Sequence, residues 1–133
     1  MSVFDAPDYN DHERVVYVQD KSCGLRAIIA LHRVFGRSGG GIRMKPYATE
    51  AEALGDALRL SRAMTLKWGF AGFPTGGAKT VVIGDPATMK TRELLHGVGR
   101  AIEALGGLLE FNQQTFQRLN RLRLRLAQAC ARI

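Results

Sequence analysis

Two glycine-dense basic segments, separated by one capped helix, constrain this chain more than any other feature. The first reads G-G-G-I-R-M-K-P-Y over residues 39–47, and the second reads F-A-G-F-P-T-G-G-A-K-T-V-V-I-G-D-P over residues 70–86. Glycine lacks a Cβ, so a neighbouring backbone or a small ligand can approach closely. Lys67 closes the intervening helix and Lys79 stands inside the second segment. Two cations are thereby delivered to surroundings with little side-chain bulk.

The 133 residues, 46% hydrophobic and 23% charged, suffice for one globular domain with a core. No apolar run reaches the roughly 18 residues of a membrane span, so no membrane association is expected. The opening M-S-V-F-D-A-P-D-Y lacks the basic-then-apolar pattern of a secretory signal. Cys23 and Cys130 are single and far apart, with no metal-ligand spacing. A cytoplasmic, reducing setting and no metal are the expectations. The net charge of +7 is uneven. Residues 1–107 carry 14 basic against 11 acidic groups, whereas residues 108–133 carry five arginines and one glutamate. Such a shift predicts a boundary at residue 107, with a distinct basic tail over residues 108–133.

Residues 12–20 are β-branched and predict a strand. Residues 24–34 predict a second, whose near-continuous apolar run implies burial on both faces. Cys23-Gly24 suits the turn between them. Gly36 to Gly41 reads as a glycine loop, with a short strand over residues 42–44. Thr49 with Glu52 three residues on forms a capping-box pattern. Leu54, Ala57, Leu58, Ser61 and Met64 or Thr65 follow at helical spacing, up to Lys67. Residues 69–77 read as a loop and residues 80–83 as a strand. Thr91 caps a further helix with an apolar stripe of Leu94, Leu95, Val98, Ile102 and Leu105, which Gly106-Gly107 ends. From Phe116 a basic amphipathic helix is predicted. Alternating strands and helices give an α/β fold, a mixed β-sheet flanked by helices.

Several motifs fail on inspection. G-F-P-T-G-G-A-K-T resembles a phosphate-binding loop, but Ala78 separates Gly77 from Lys79 and a strand follows where a helix is required. Gly97-Val98-Gly99 lacks the third glycine and the preceding strand of a dinucleotide fingerprint, so the glycines are assigned to close helix packing. His12, His32 and His96 are scattered and read as structural. The arginine-rich tail has almost no interleaved aromatics, so nucleic acid is not expected as a partner. Lys79, between glycines and an apolar strand, is expected to be partly desolvated, with a lowered pKa suited to proton transfer. Lys67 is expected to stay charged and available to a carboxylate. Arg43 is open between an internal ion pair and a ligand contact.

Residues 12–32 (H-E-R-V-V-Y-V-Q-D-K-S-C-G-L-R-A-I-I-A-L-H), 40–49 (G-G-I-R-M-K-P-Y-A-T), 56–67 (D-A-L-R-L-S-R-A-M-T-L-K) and 76–86 (G-G-A-K-T-V-V-I-G-D-P) together resemble the glutamate/leucine/phenylalanine/valine dehydrogenase family, closest to its leucine and phenylalanine branch. The resemblance covers about residues 9–107. It implies the N-terminal, substrate-binding and oligomerising domain of an NAD-dependent enzyme that deaminates an L-amino acid to a 2-oxo acid. By that resemblance Lys79 is the catalytic lysine and Lys67 binds the substrate carboxylate. Gly40, Gly41 and Met64 match positions lining the substrate pocket.

After Gly107 the chain reads L-L-E-F-N-Q-Q-T, and by residue count Gln114 stands where the family has a proton-accepting aspartate. Glutamine cannot take up a proton at neutral pH. No Rossmann domain is present, so NAD is implied by the family but not expected to bind these residues alone. The expectation is a truncated or degenerate member, inactive by itself, with a tail such as a frameshift produces. The alternative is a non-catalytic amino-acid-binding or assembly module, a homo-oligomer or a partner of a full-length relative.

Overall fold

The structure, a computed structural model, describes residues 2–111. Its elements are β1 (Arg14–Asp20), β2 (Leu25–Leu31), β3 (Ser38–Lys45), α1 (Glu50–Phe70), β4 (Gly76–Ile83), α2 (Pro86–Met89), α3 (Arg92–Glu103) and β5 (Leu109–Phe111). A short 3-10 turn, Val3–Asp5, precedes them. The strands form one five-stranded sheet in the order β1-β2-β4-β3-β5. β1 with β2 and β2 with β4 are antiparallel, while β3 runs parallel to both β4 and β5. The sheet is therefore mixed, as the alternation of elements predicts.

The core has two layers because side chains alternate along each strand. Ile28, Ala30 and Val81 point to one face and pack under Ala53, Leu54, Ala57 and Leu58 of α1. Leu25, Ala27, Ile29, Leu31, Ala78 and Val82 point to the other and meet Leu94, Val98 and Ile102 of α3. β2 is buried throughout except at Arg26, matching its apolar run. The turn before it passes through Gly24 at a φ of 74°, a left-handed position that suits glycine.

The start of α1 is as predicted, with Thr49 Oγ1 accepting the Glu52 N–H at 3.2 Å. The reciprocal bond differs: the Glu52 carboxylate accepts the N–H of Ala48, one residue before the cap. The helix also continues past Lys67 to Phe70. Trp68 anchors this extra turn by donating its indole N–H to the Gly39 carbonyl at 3.0 Å. Gly72 at a φ of 77° then ends it, with Phe73 N–H returning to the Trp68 carbonyl. On α3, Thr91 Oγ1 accepts from Leu94 N–H, and Gly106-Gly107 turn the chain away at positive φ.

Two sequence expectations are corrected. Gly39 to Gly41 are not a loop but the middle of β3, and Gly76-Gly77 open β4. Glycine runs read as loops in sequence because they lack strand-forming side chains, yet here Gly39, Gly40, Gly76 and Gly77 each have a neighbour close to where a Cβ would stand. A Cβ on Gly77 would fall 2.1 Å from Thr65 N and 2.2 Å from Ser61 O. One on Gly76 would fall 1.6 Å from Arg33 O. The sheet also extends beyond Gly107, through β5. The tail helix predicted from Phe116, with Gln114 and Cys130, lies outside the described residues. No described helix is long and apolar enough to cross a membrane.

The two glycines of α3 behave oppositely. A Cβ on Gly97 would meet Cys23 Sγ at 2.6 Å, as expected for close packing, whereas one on Gly99 would meet nothing. Gly99→Ala should therefore stabilise the domain by about 0.5–1 kcal/mol through helix propensity. Gly77→Ala should cost at least about 3 kcal/mol through overpacking against backbone. Denaturant unfolding of both variants measures the contrast.

Candidate functional site

Lys79 lies in the middle of β4, paired with Gly41 of β3 and Ala30 of β2. Its side chain stands on the face covered by α1. Gly41 lies beside its amine without crowding it, since even a Cβ there would be 3.5 Å from Lys79 Nζ, an ordinary contact. Burial lowers the Lys79 pKa from its ordinary value, and the charges of Arg43 and Lys67 lower it further against the opposing pull of Asp56. The direction matches the sequence expectation. Such an amine gives up its proton more readily than a solvated lysine.

Lys67, in the last turn of α1, is exposed. It is near enough for its charge to act on Lys79. The Lys67 charge is thus felt at Lys79 although twelve positions separate the two in sequence. Met64 is half-buried one helical turn before Lys67. Gly40 is placed differently from Gly41: it alternates onto the other face of the sheet, where a Cβ would come 1.7 Å from the Ala78 carbonyl oxygen.

Arg43 proves to have an internal partner. Its guanidinium lies 3.4 Å from Asp56 Oδ2 of α1. The same carboxylate accepts the Tyr47 hydroxyl at 2.5 Å and pairs with Arg59. Burial opposes ionisation of Asp56, but the Tyr47 and Arg59 hydrogen bonds and the Arg43 charge outweigh it and hold the carboxyl below its usual range. Burial and the bond to Asp56 push the Tyr47 hydroxyl well above its usual range, so it stays a donor. Asp56, Tyr47 and Arg59 were not singled out from sequence. The i, i+3 spacing of Asp56 and Arg59 on a capped helix was the available signal.

The histidines are also not scattered. His12 and His32 touch edge to face, with ring centroids 4.9 Å apart. Both are buried and hydrogen-bonded, so their structural reading stands, while His96 lies apart on α3 with Nε2 buried and unpartnered. Burial first, then the charges of Arg33 and Arg62, lower the His12 pKa. The same causes, with His12 itself, lower His32 to about 4. Among the described residues no group of three or more His, Cys, Asp or Glu could hold a metal ion.

The Gly97-Val98-Gly99 motif does not fit a dinucleotide. Gly97-Val98-Gly99 sits inside α3, Gly97 is closed off by Cys23, and no strand leads into it. The phosphate-loop reading fails for the same kind of reason, because β4 runs unbroken through Lys79.

This architecture is that of the N-terminal domain of amino-acid dehydrogenases. It superposes on the crystal structure of L-tryptophan dehydrogenase from Nostoc punctiforme with a TM-score of 0.72 and 42% identity, covering 75% of this chain and 30% of that one. Residues 12–115 match the family model of the Glu/Leu/Phe/Val dehydrogenase dimerisation domain, and the chain belongs to that family. The match continues past Gly107, where the recognisable motifs end. The chain is 50% identical over 101 residues to a valine dehydrogenase of Streptomyces coelicolor, covering 75% of this chain and 28% of that protein. It is 47% identical over 108 residues to a leucine dehydrogenase of Thermoactinomyces intermedius, covering 80% and 30%. The chain thus spans under a third of the length of these relatives.

The histidine pair makes stability pH-dependent. Both rings are neutral in the fold, and unfolding returns them to an ordinary pKa near 6.5. Between that value and about 4 the unfolded chain binds more protons, so stability is complete above pH 6.5 and falls as pH drops toward 4. The thermal midpoint should fall by roughly 5 °C or more across this window. His32→Gln should flatten the dependence, as measured by thermal scans at stepped pH.

Proposed function

We propose that this chain is the substrate half of an amino-acid dehydrogenase that interconverts an L-amino acid and its 2-oxo acid. The observation that supports the reading is a half-buried Lys79 beside Gly41, within reach of the Lys67 charge, in a chain that belongs to the Glu/Leu/Phe/Val dehydrogenase family. In this reading the exposed Lys67 ammonium binds the substrate carboxylate. Lys79, held partly desolvated, takes and returns a proton at the reacting carbon. Gly41 and Gly40 supply backbone and Met64 an apolar wall. Arg43 is committed to Asp56 and so does not compete for the carboxylate.

Hydride transfer to NAD, which the family implies, falls outside what these residues can hold. We accordingly propose that the 133 residues bind substrate but do not turn it over by themselves. The segment predicted over residues 108–133 is proposed to be separate only beyond β5, since that strand pairs with β3 and Leu109 belongs to the core. The domain is further proposed to self-associate or to pair with a longer relative. The description of the matching family model as a dimerisation domain supports this.

Calorimetry with leucine, valine, phenylalanine and their 2-oxo acids tests the proposal. At least one should bind, with acetate as the non-specific control. Lys67→Ala should weaken it at least about tenfold, the loss expected for a charge-assisted contact. Absence of binding by every ligand, or an unchanged affinity in Lys67→Ala, would refute the assignment.

A further inference from the structure

Lys67 and Lys79 belong to different elements, and nothing in the local sequence fixes their separation. Their elements meet at a hydrogen bond from Gly77 N–H to Thr65 Oγ1, 2.9 Å long. Thr65 is two residues before Lys67, and Gly77 is two residues before Lys79. The contact therefore sits the same short distance along each chain segment from each lysine.

Both partners of this bond are held from behind. The Gly77 carbonyl accepts the backbone N–H of His32 at 2.8 Å. Thr65 Oγ1 accepts from Gly77, and its own proton faces His32 Nδ1 at 2.8 Å; the Ser61 carbonyl, at 3.5 Å, is the poorer acceptor. With Nδ1 accepting, His32 carries its proton on Nε2 and donates it to Asn10 Oδ1 at 3.2 Å. Asn10 N–H donates to His12 Nδ1 at 3.1 Å. His12 then donates from Nε2 to the Leu58 carbonyl at 2.9 Å and Ser61 Oγ at 3.1 Å, back on α1. Every donor finds an acceptor, so the chain of bonds determines both tautomers and leaves Thr65 a single hydroxyl orientation.

We propose that Thr65 is a positioning residue for the two-lysine site, fixing Lys67 relative to Lys79 through its bond to Gly77, with His32 locking its hydroxyl. This rests on the reading that the two lysines act on one ligand. Thr65 does not touch the ligand; it acts through the elements that carry the lysines.

The test compares Thr65→Val, which keeps the shape and removes the hydroxyl, with Thr65→Ser, which keeps the hydroxyl. The 133-residue chain is labelled with an amine-acylating reagent at stepped pH, and modification of Lys79 is followed by mass spectrometry against exposed Lys21. Besides Lys67, the charged groups acting on Lys79 are Arg43 and Asp56, which these variants leave in place. In the parent chain the Lys79 profile should lie below that of Lys21. In Thr65→Val it should move toward Lys21, by up to the shift that Lys67→Gln produces by removing the neighbouring charge outright. Thr65→Ser should match the parent. Val98→Ala, a core truncation in the opposite layer, should lower stability and leave the Lys79 profile in place.

An unmoved profile in Thr65→Val, or an equal movement in Val98→Ala, would overturn the proposal. If Thr65→Val does not fold, His32→Leu serves instead: it removes the imidazole that accepts from the Thr65 hydroxyl and should move the profile in the same direction, and an unmoved profile there overturns the proposal equally. Calorimetry separates the two readings. Shifted labelling without any 2-oxo acid binding removes the shared-ligand reading and leaves the positioning role. Intact binding with unmoved labelling does the reverse.

Discussion

Helix α1 reaches the sheet as closely as it does because β4 has no side chain at Gly77. The space that a Cβ would need is already taken by the backbone of Ser61 and Thr65. This one approach sets the height of the C-terminal half of α1 above β4. It lets a helix hydroxyl accept from a strand amide, and it brings the last turns of the helix over the start of β4. Lys67 and Lys79 are carried by the helix and the strand that this approach joins. A larger residue at this position would lift the helix and separate them, whatever residues surround them.

The same economy of side chains explains the triglycine of β3, whose three residues serve three different neighbours. Gly39 lies beneath the Trp68 ring, which comes within 3.0 Å of where its Cβ would be. Gly40, on the other face, accommodates the Ala78 carbonyl, and Gly41 lies beside the Lys79 amine at ordinary contact distance. Stripped of side chains on the α1 face, the sheet can hold a lysine there with little competing bulk. The charges around that opening are Arg43, Lys67 and Lys79 against Asp56. Asp56 is shared between Arg43 and Arg59, so one carboxylate faces two guanidiniums and the surroundings of Lys79 keep a net positive charge. A locally positive, partly desolvated opening of this kind favours an anionic ligand.

Much of this was legible along the chain. Thr49 and Thr91 mark helix starts because a hydroxyl one residue before a helix satisfies a backbone N–H by local geometry alone. The apolar run of β2 shows its double burial, and the stripe on α3 shows its packing face, because both depend only on side-chain period. The desolvation of Lys79 was also legible, since its apolar and glycine neighbours are adjacent in sequence. The family motifs placed both lysines. The glycine segments misled because strand propensity is a property of side chains, and these strands are stabilised instead by neighbours that need the side chain absent.

What the sequence determined by itself is therefore the local part: which segments begin as helices, which strand is buried on both faces, and which two lysines belong to the family pattern. Only the tertiary structure decided that glycines 39–41 and 76–77 are strand. It also decided that Arg43 is claimed by Asp56, that His12 and His32 form one hydrogen-bonded chain, and that Thr65 ties α1 to β4. These facts link residues between 12 and 49 positions apart, from Thr65 with Gly77 to His12 with Ser61. Contacts at such separations depend on how helix and sheet approach one another, and no local preference along the chain encodes that distance.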